Sequence, residues 1–391
     1  MQAGDIAFIL ISSLLVWLMT PGLAFFYAGV ADEKNRLYML RLGLIIIGLV
    51  SILWFAFGYS FAFTGSENFS KVFNQLFFNG VSFTHSTREL TIPDALFAFF
   101  QGTFAMITVL IIVGSVLGRM KTKALLLFLS FWLLVVYAPL AHMVWDNGFI
   151  ARLGAIDFAG GTVVHISSGV TGLVLALLLG RRRDMKVIPA KSSYTFIGGL
   201  LLWLGWFGFN GGSALAANGQ GILAMFNSAI ASAAGLLGFS YCAYRKQSNI
   251  TISDLFNGAL AGLVAITPAA GFVAPWAALL FGMVAAPVIY WSLATLKTKC
   301  QYDDTLDAFG IHGVGGILGA LLTAIFADKS FFSPVQGVIH GNWTLLGEQA
   351  LAVLLTVAFT AALSYLLAKV VSLFTKGSLR VSAAIEDRGL N

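Results

Sequence analysis

Four ionisable side chains fall in two long apolar stretches: Asp157 with His165, and Asp307 with His312, each histidine a few residues after its aspartate. Ionisable groups are costly to keep inside a membrane, so each is a candidate functional residue. Zinc or copper would ask for three or four ligands, and no third His, Cys or carboxylate shares the histidines' depth except Asp157. Bis-histidine haem ligation needs room for a macrocycle that glycine-crowded helices do not leave. The preferred use is a hydrogen-bonding rail in a narrow apolar pore, where imidazoles donate, accept or relay protons. Asp307 lies nearer the end of its stretch. His142 also sits near the end of an apolar segment and reads as a satisfied interfacial histidine. The two cysteines, Cys242 and Cys300, have no CxxC or CxxH spacing, which speaks against redox and zinc chemistry.

Aromatic clusters narrow the substrate class. With 34 phenylalanines in the chain, a single one carries little information. More pointed are Phe99, Phe100 and Phe104 in FFQGTFA, Trp145 in HMVWDNG, and Trp206, Phe207 and Phe209 with Ser213 in WFGFNGGS. Trp145 at a helix end fits an interfacial belt. A Trp face beside a Phe and a Ser hydroxyl also makes a cation–π and hydrogen-bonding site for a small cation. No segment carries the carboxylate ring of a sodium or calcium pore, so the ion is small and weakly held.

The elements that must position these residues are membrane helices. Of 391 residues, 58% are hydrophobic and 10% charged, and the mean hydropathy is +0.87. Soluble proteins carry about 25% charged residues, so this chain could not cover a globular surface with charge. Runs long enough to span hydrocarbon occur at 5–29, 40–63, 93–117, 123–145, 160–180, 194–217, 222–244, 254–270, 273–296, 306–327 and 346–374. The expectation is therefore an all-α polytopic membrane protein with eleven transmembrane helices. With the N-terminus outside, 19 of the 23 Lys and Arg fall on the inner side, and only Lys71, Arg88, Arg152 and Lys329 outside. The C-terminus is then cytoplasmic, and the pI of 9.3 reflects this loop asymmetry rather than nucleic-acid binding. The first segment lacks a basic n-region and reads as a retained helix, not a cleaved signal.

Internal repetition is legible as well. WLMTPG at 17–22 and WLGWFG at 203–208 share Trp, Leu and Gly at the same offsets, and the two Asp–His pairs lie in the fifth and tenth segments. Five helices plus five, with an eleventh outside the repeat, make the second copy insert upside down. That arrangement predicts that His165 and His312 meet near a pseudo-twofold axis. Glycine clusters such as GIHGVGGILGA at 310–320 predict close helix contacts.

At these residues the sequence resembles the ammonium transporter family, comprising the Amt, Mep and Rh proteins. The likeness runs through PGLAFFYAG at 21–29, FFQGTFAMITVLIIVG at 99–114, AHMVW at 141–145, GAIDFAGGTVVHISSGVTGL at 154–173, LLWLGWFGFNGGSALAANG at 201–219, FNGALAGLVAITP at 256–268 and DAFGIHGVGGILGALLTAIFA at 307–327. It implies a multi-pass protein of the inner (plasma) membrane, not an enzyme and without a cofactor, that assembles as a homotrimer and carries ammonium or ammonia. By the same resemblance Phe104, Trp145 and Ser213 form a recruitment site, Phe104 and Phe209 a stacked aromatic gate, and His165 and His312 a twin-His pore. Asp157 resembles an aspartate that keeps the recruitment site in shape. The implied organisation is a transmembrane domain over 1–375 and a short cytoplasmic tail over 376–391. A second function, ammonium sensing through a kinase or cyclic-dinucleotide domain outside this chain, is implied by some relatives. The resemblance also implies a PII-type regulator at the inner face, where this chain departs from the family pattern at ADEKN, 31–35, and RRRDMKVIPAKSSYT, 181–195.

Overall fold

In hydrocarbon every backbone N–H and C=O must be satisfied within the chain, and continuous apolar runs do this as helices. The computed structural model describes residues 1–65, 69–185 and 191–391, and among them the chain is helical with no strand. The helices are α1 Ala3–Val30, α2 Glu33–Ala62, α3 Asp94–Val116, α4 Thr122–Arg152 and α5 Gly161–Leu179. They continue as α6 Ser192–Gly212, α7 Gly219–Gln247, α8 Ile252–Ile266, α9 Pro275–Lys299, α10 Phe309–Phe326 and α11 Thr344–Leu373, with a short α12 at Ala383–Arg388. Nine of these are long and apolar enough to cross a membrane; α6, α8 and α12 are not. Helix α8 has only 15 residues and is largely enclosed by its neighbours, whereas α6 turns Phe196, Ile197, Leu200 and Leu204 outward and falls short because serines, glycines and tryptophans dilute its hydropathy. The expected span 254–270 is shorter as a helix: Thr267 still has helical dihedrals, but Pro268 has no N–H to continue the ladder, and the chain turns from there. Residues 186–190, Lys186 among them, lie outside the described residues.

Two helix crossings organise the bundle. Helix α1 packs along α6, and a Cβ added at Gly208 would come within 2.8 Å of the Ser12 carbonyl. Helix α5 crosses α10 with Gly169 against the backbone of Gly313. Only residues without a side chain permit such an approach. The second crossing sets the distance between His165 and His312, since His165 lies one turn from Gly169 and His312 adjoins Gly313.

The end of the bundle away from Trp145 is tied by one buried arginine. Arg119, fully buried between α3 and α4, donates to the carbonyls of Ser115, Gly180 and Asp303, each at 2.5 Å. These acceptors follow or end α3 and α5 and precede α10, the helices that carry Phe104, His165 and His312. Burial lowers the Arg119 pKa to about 10, and the Asp303 carboxylate lies 3.5 Å away. Arg182 grips the same carboxylate from 2.7 Å. Burial pushes the Asp303 carboxyl up, but the Arg182 hydrogen bonds and the two guanidiniums outweigh it and hold the group below its ordinary value of 3.8. The segment after α11 closes over this cluster: Arg380 donates to Leu179 O at 2.7 Å and binds Glu386, while the Asn391 amide donates to Glu33 O.

Replacing Asp303 with Asn leaves two buried or half-buried guanidiniums short of a counter-charge. The expected loss is about 3–5 kcal/mol, read as a lowered thermal midpoint of the solubilised protein. A carboxyl with a depressed folded pKa stabilises above its unfolded value and loses that contribution as pH falls through the folded one. The variant therefore shows a flatter acid limb in its stability profile than the parent. An unchanged midpoint and an unchanged acid limb contradict the assignment.

Candidate functional site

Two cavities lie one above the other along the bundle, separated by two phenylalanine rings. The upper one, of about 130 Å³, is lined by Phe63, Phe97, Gln101, Phe104, Trp145 and Ser213 among others. The lower one, narrow at about 10 Å³, is lined by Met19, Leu23, Ile107, Ile111, Trp206, Phe209 and the two histidines among others. Phe104 belongs to the upper lining and Phe209 to the lower, and their ring centroids are 4.2 Å apart at an interplanar angle of 38°. Both are 1% exposed, so the partition is closed.

The upper cavity is built from the ends of α3, α4 and α6 and from the loop before α5. Trp145 stands edge-on to Phe104, with centroids 6.0 Å apart and planes at 86°. Its indole N–H donates to the Asp157 carbonyl at 3.0 Å, which fixes the ring. Ser213 donates its hydroxyl proton to Phe209 O at 2.8 Å. With that donor used, the oxygen keeps lone pairs for a ligand that itself brings N–H groups. A cation among these ring faces gains cation–π attraction.

Asp157 is half-buried, and neighbouring groups of the chain occupy its carboxylate. Oδ1 accepts from Gly160 N and Gly161 N at 2.8 Å, and Oδ2 accepts from Thr162 N at 2.7 Å and from the Thr162 hydroxyl. Four donors fill a carboxylate's acceptor sites. The group therefore holds the entry to α5 in place, and its charge reaches a ligand only through space.

His165 lies on a wide π-turn, Gly161–Ile166, in which its N–H donates to Gly160 O at 3.1 Å. His312 lies on a second π-turn, Phe309–Gly313. The two Nδ1 atoms are 3.2 Å apart, with ring planes at 25°. One imidazole must donate and the other accept, so the tautomers are complementary. His165 Nε2 is buried without a hydrogen-bond partner among the described residues, in the wall of the lower cavity. Trp206 stacks on His165 at 5.6 Å and donates to Thr267 Oγ1 at 3.0 Å. The arrangement can strip a small cation of water against aromatic faces and then offer a file of imidazole nitrogens between apolar walls.

Sequence reasoning matched each histidine with the wrong aspartate in one case. Asp157 precedes His165 by eight residues and accepts from the N–H of Thr162. The residue that does the same for His312 is Asp304, eight residues before it, whose Oδ2 accepts from Phe309 N at 2.7 Å. Asp307 instead pairs with Lys297 at 2.7 Å and has φ +60°. The correspondence is hidden in the sequence because three aspartates, Asp303, Asp304 and Asp307, lie within five positions before His312. His142 is 2% exposed, and its Nδ1 lies 3.1 Å from the Asp146 carboxylate; it is satisfied by that carboxylate rather than by interfacial water. Gln101 was absent from the expected set, and Trp206 was named only as part of an aromatic cluster, with no role beside the histidines. The cost of an amide inside the apolar run FFQGTFA was a signal for Gln101.

The sequence profile described as Ammonium Transporter Family matches residues 7–391. An ammonium transporter of Bacillus subtilis (strain 168) is 44% identical over 393 residues, covering 100% of this chain and 97% of its own. The crystal structure of Candida albicans Mep2 superposes with a TM-score of 0.92 at 31% identity, covering 98% of this chain and 87% of that one. A solved structure described as a sensor Amt protein superposes with a TM-score of 0.90 at 28% identity, covering 99% and 97%.

Proposed function

Because the chain belongs to the ammonium transporter family, we propose that it takes up ammonium at the Trp145 vestibule and passes ammonia through the twin-His cavity. The observation that carries this reading is the file itself: an aromatic vestibule, a closed Phe104–Phe209 partition, and two histidines in hydrogen-bond contact at 3.2 Å.

An unpaired ion in an apolar passage pays a Born cost of tens of kcal/mol, whereas ammonia pays only for lost hydrogen bonds. Ammonium held by Phe104, Trp145 and Ser213 gives up its proton near the gate, the proton either returning outward to water in the vestibule or travelling separately along the histidine pair. Asp157 shapes the vestibule and adds a negative field without binding the ion. Neutral ammonia then moves past Phe209, exchanging hydrogen bonds with His165 and His312, whose shared proton also provides a relay. Potassium has no proton to lose and is rejected at the apolar stretch.

The same reading has eleven traverses in an inner (plasma) membrane, α6 and α8 among them, with helices 1–5 and 6–10 as inverted copies and α11 outside them. Residues 1–375 form the transmembrane domain and 376–391 a tail at the cytoplasmic Arg119 end, where the basic residues gather and a PII-type regulator would meet the protein. The assembly is a homotrimer. Uptake is favoured over sensing alone because the transporter relative is 44% identical and the sensor structure 28%.

His165→Ala and His312→Ala should each cut ammonium uptake by reconstituted protein by about tenfold or more, with altered ammonium-over-potassium selectivity and an intact oligomer. Unchanged flux and selectivity in both variants sinks the pore assignment. Trp145→Leu should raise the half-saturation concentration about 2- to 30-fold, the worth of a cation–π contact, and alter maximal flux less. Saturable binding without any current or uptake would point instead to a receptor.

A further inference from the structure

Behind the vestibule wall lies a charged layer that the transport reading does not use. Arg88, in the loop between α2 and α3, places its guanidinium carbon 5.3 Å from the Phe63 ring centroid and 5.0 Å from that of Phe97. Both rings line the vestibule. Nη2 donates to Phe63 O at 2.6 Å and Nη1 to Asp146 Oδ1 at 2.7 Å. The side chains of Arg88 and Asp146 are only 17% and 3% exposed, so water screens the pair weakly. The other Asp146 oxygen accepts from Gly65 N at 2.9 Å, lies 3.3 Å from the Thr64 hydroxyl, and faces the His142 ring. Asp146 also follows Trp145 directly in the chain. Asp94, another carboxylate at this end of the bundle, is engaged by the Ser86–Thr87 turn.

A permanent cation one ring away from a cation-binding site works against that site. Its field repels ammonium, and it draws on the same ring quadrupoles that would hold the ligand. A carboxylate in hydrogen-bond contact reduces the isolated charge to a short dipole, whose field falls off much faster with distance. We infer that Asp146 is a charge-balancing residue of the vestibule. By neutralising Arg88, it lets rings loaded with a guanidinium still accept a cation, and the Arg88–Asp146 pair sets how strongly ammonium is recruited. This rests on the reading that the Trp145 vestibule recruits ammonium. Asp146 and Arg88 are positioning residues in this scheme and touch no substrate.

The alternative is a brace that merely holds the loop, and the two differ in sign. Removing either half of a brace loosens the same wall, so both truncations shift affinity the same way. Removing one half of a charge balance leaves opposite charges behind. In concentration-dependent ammonium and methylammonium uptake by the full chain in liposomes at fixed pH and ionic strength, Asp146→Asn should raise the half-saturation concentration about three- to tenfold, the effect of one uncompensated charge nearby at a surface-like dielectric. Arg88→Gln should lower it by a similar factor. The double variant should return to within about twofold of the parent, since the two charge effects cancel. Maximal rates should change less than half-saturation in all three.

Shifts in the same direction for both single variants, or no shift in either, overturn the inference. If Asp146→Asn does not yield folded oligomer, Arg88→Gln decides alone: a lowered half-saturation supports the balance, and an unchanged or raised one overturns it. Trp145→Leu assayed alongside separates the two levels. If it leaves half-saturation unchanged, the recruitment reading fails, whatever the charge pair does.

Discussion

A charge in hydrocarbon must be compensated within the protein or removed, and much of the architecture follows from that cost. Arg119 is compensated by Asp303 and by three carbonyls, and Asp157 by four donors of its own chain segment. Arg88 is met by Asp146. The central cavity between Phe209 and His312 contains no carboxylate and no ammonium or guanidinium group in its lining. A passage built this way has nothing to offer an ion that keeps its charge, and two imidazoles for a molecule that has lost it.

The two histidines are held by matching local devices. Each sits on a π-turn preceded, at a separation of eight residues, by an aspartate that accepts a backbone N–H at the start of the turn. A π-turn widens the helix and leaves main-chain groups less regularly paired, so an acceptor at its entry stabilises a conformation that propensity alone would not select. The Gly169–Gly313 approach then brings the two turns together. Positioning thus has two independent parts: aspartates that shape each turn, and side-chain-free positions that let the turns meet.

The two aspartates stand in different surroundings at opposite ends of the bundle. Asp157 lies behind the Trp145 cavity and supports Trp145 through its carbonyl. Asp304 is fully buried beside the Arg119 cluster, and burial followed by the nearby Asp307 pushes its carboxyl above the ordinary value. Aspartates with the same local role therefore stand beside an aromatic cavity at one end and an ion-paired cluster at the other.

Membrane residence was legible from composition, because 10% charge cannot clothe a soluble surface of this size. The candidate set His165, His312, Asp157, Phe104, Trp145, Phe209 and Ser213 was legible from the cost of polar groups in apolar runs, from aromatic clustering and from family resemblance. Spacing along one helix says nothing about contacts between helices. For that reason the sequence could not tell that Asp304, rather than Asp307, mirrors Asp157, that Trp206 stacks on His165, or that a guanidinium 58 positions before Asp146 comes to rest against it. Those facts depend on how closely backbones cross and where loops fold back. Packing decides both, through pairs such as Gly169 with Gly313 that are far apart in the chain and in contact only in the bundle.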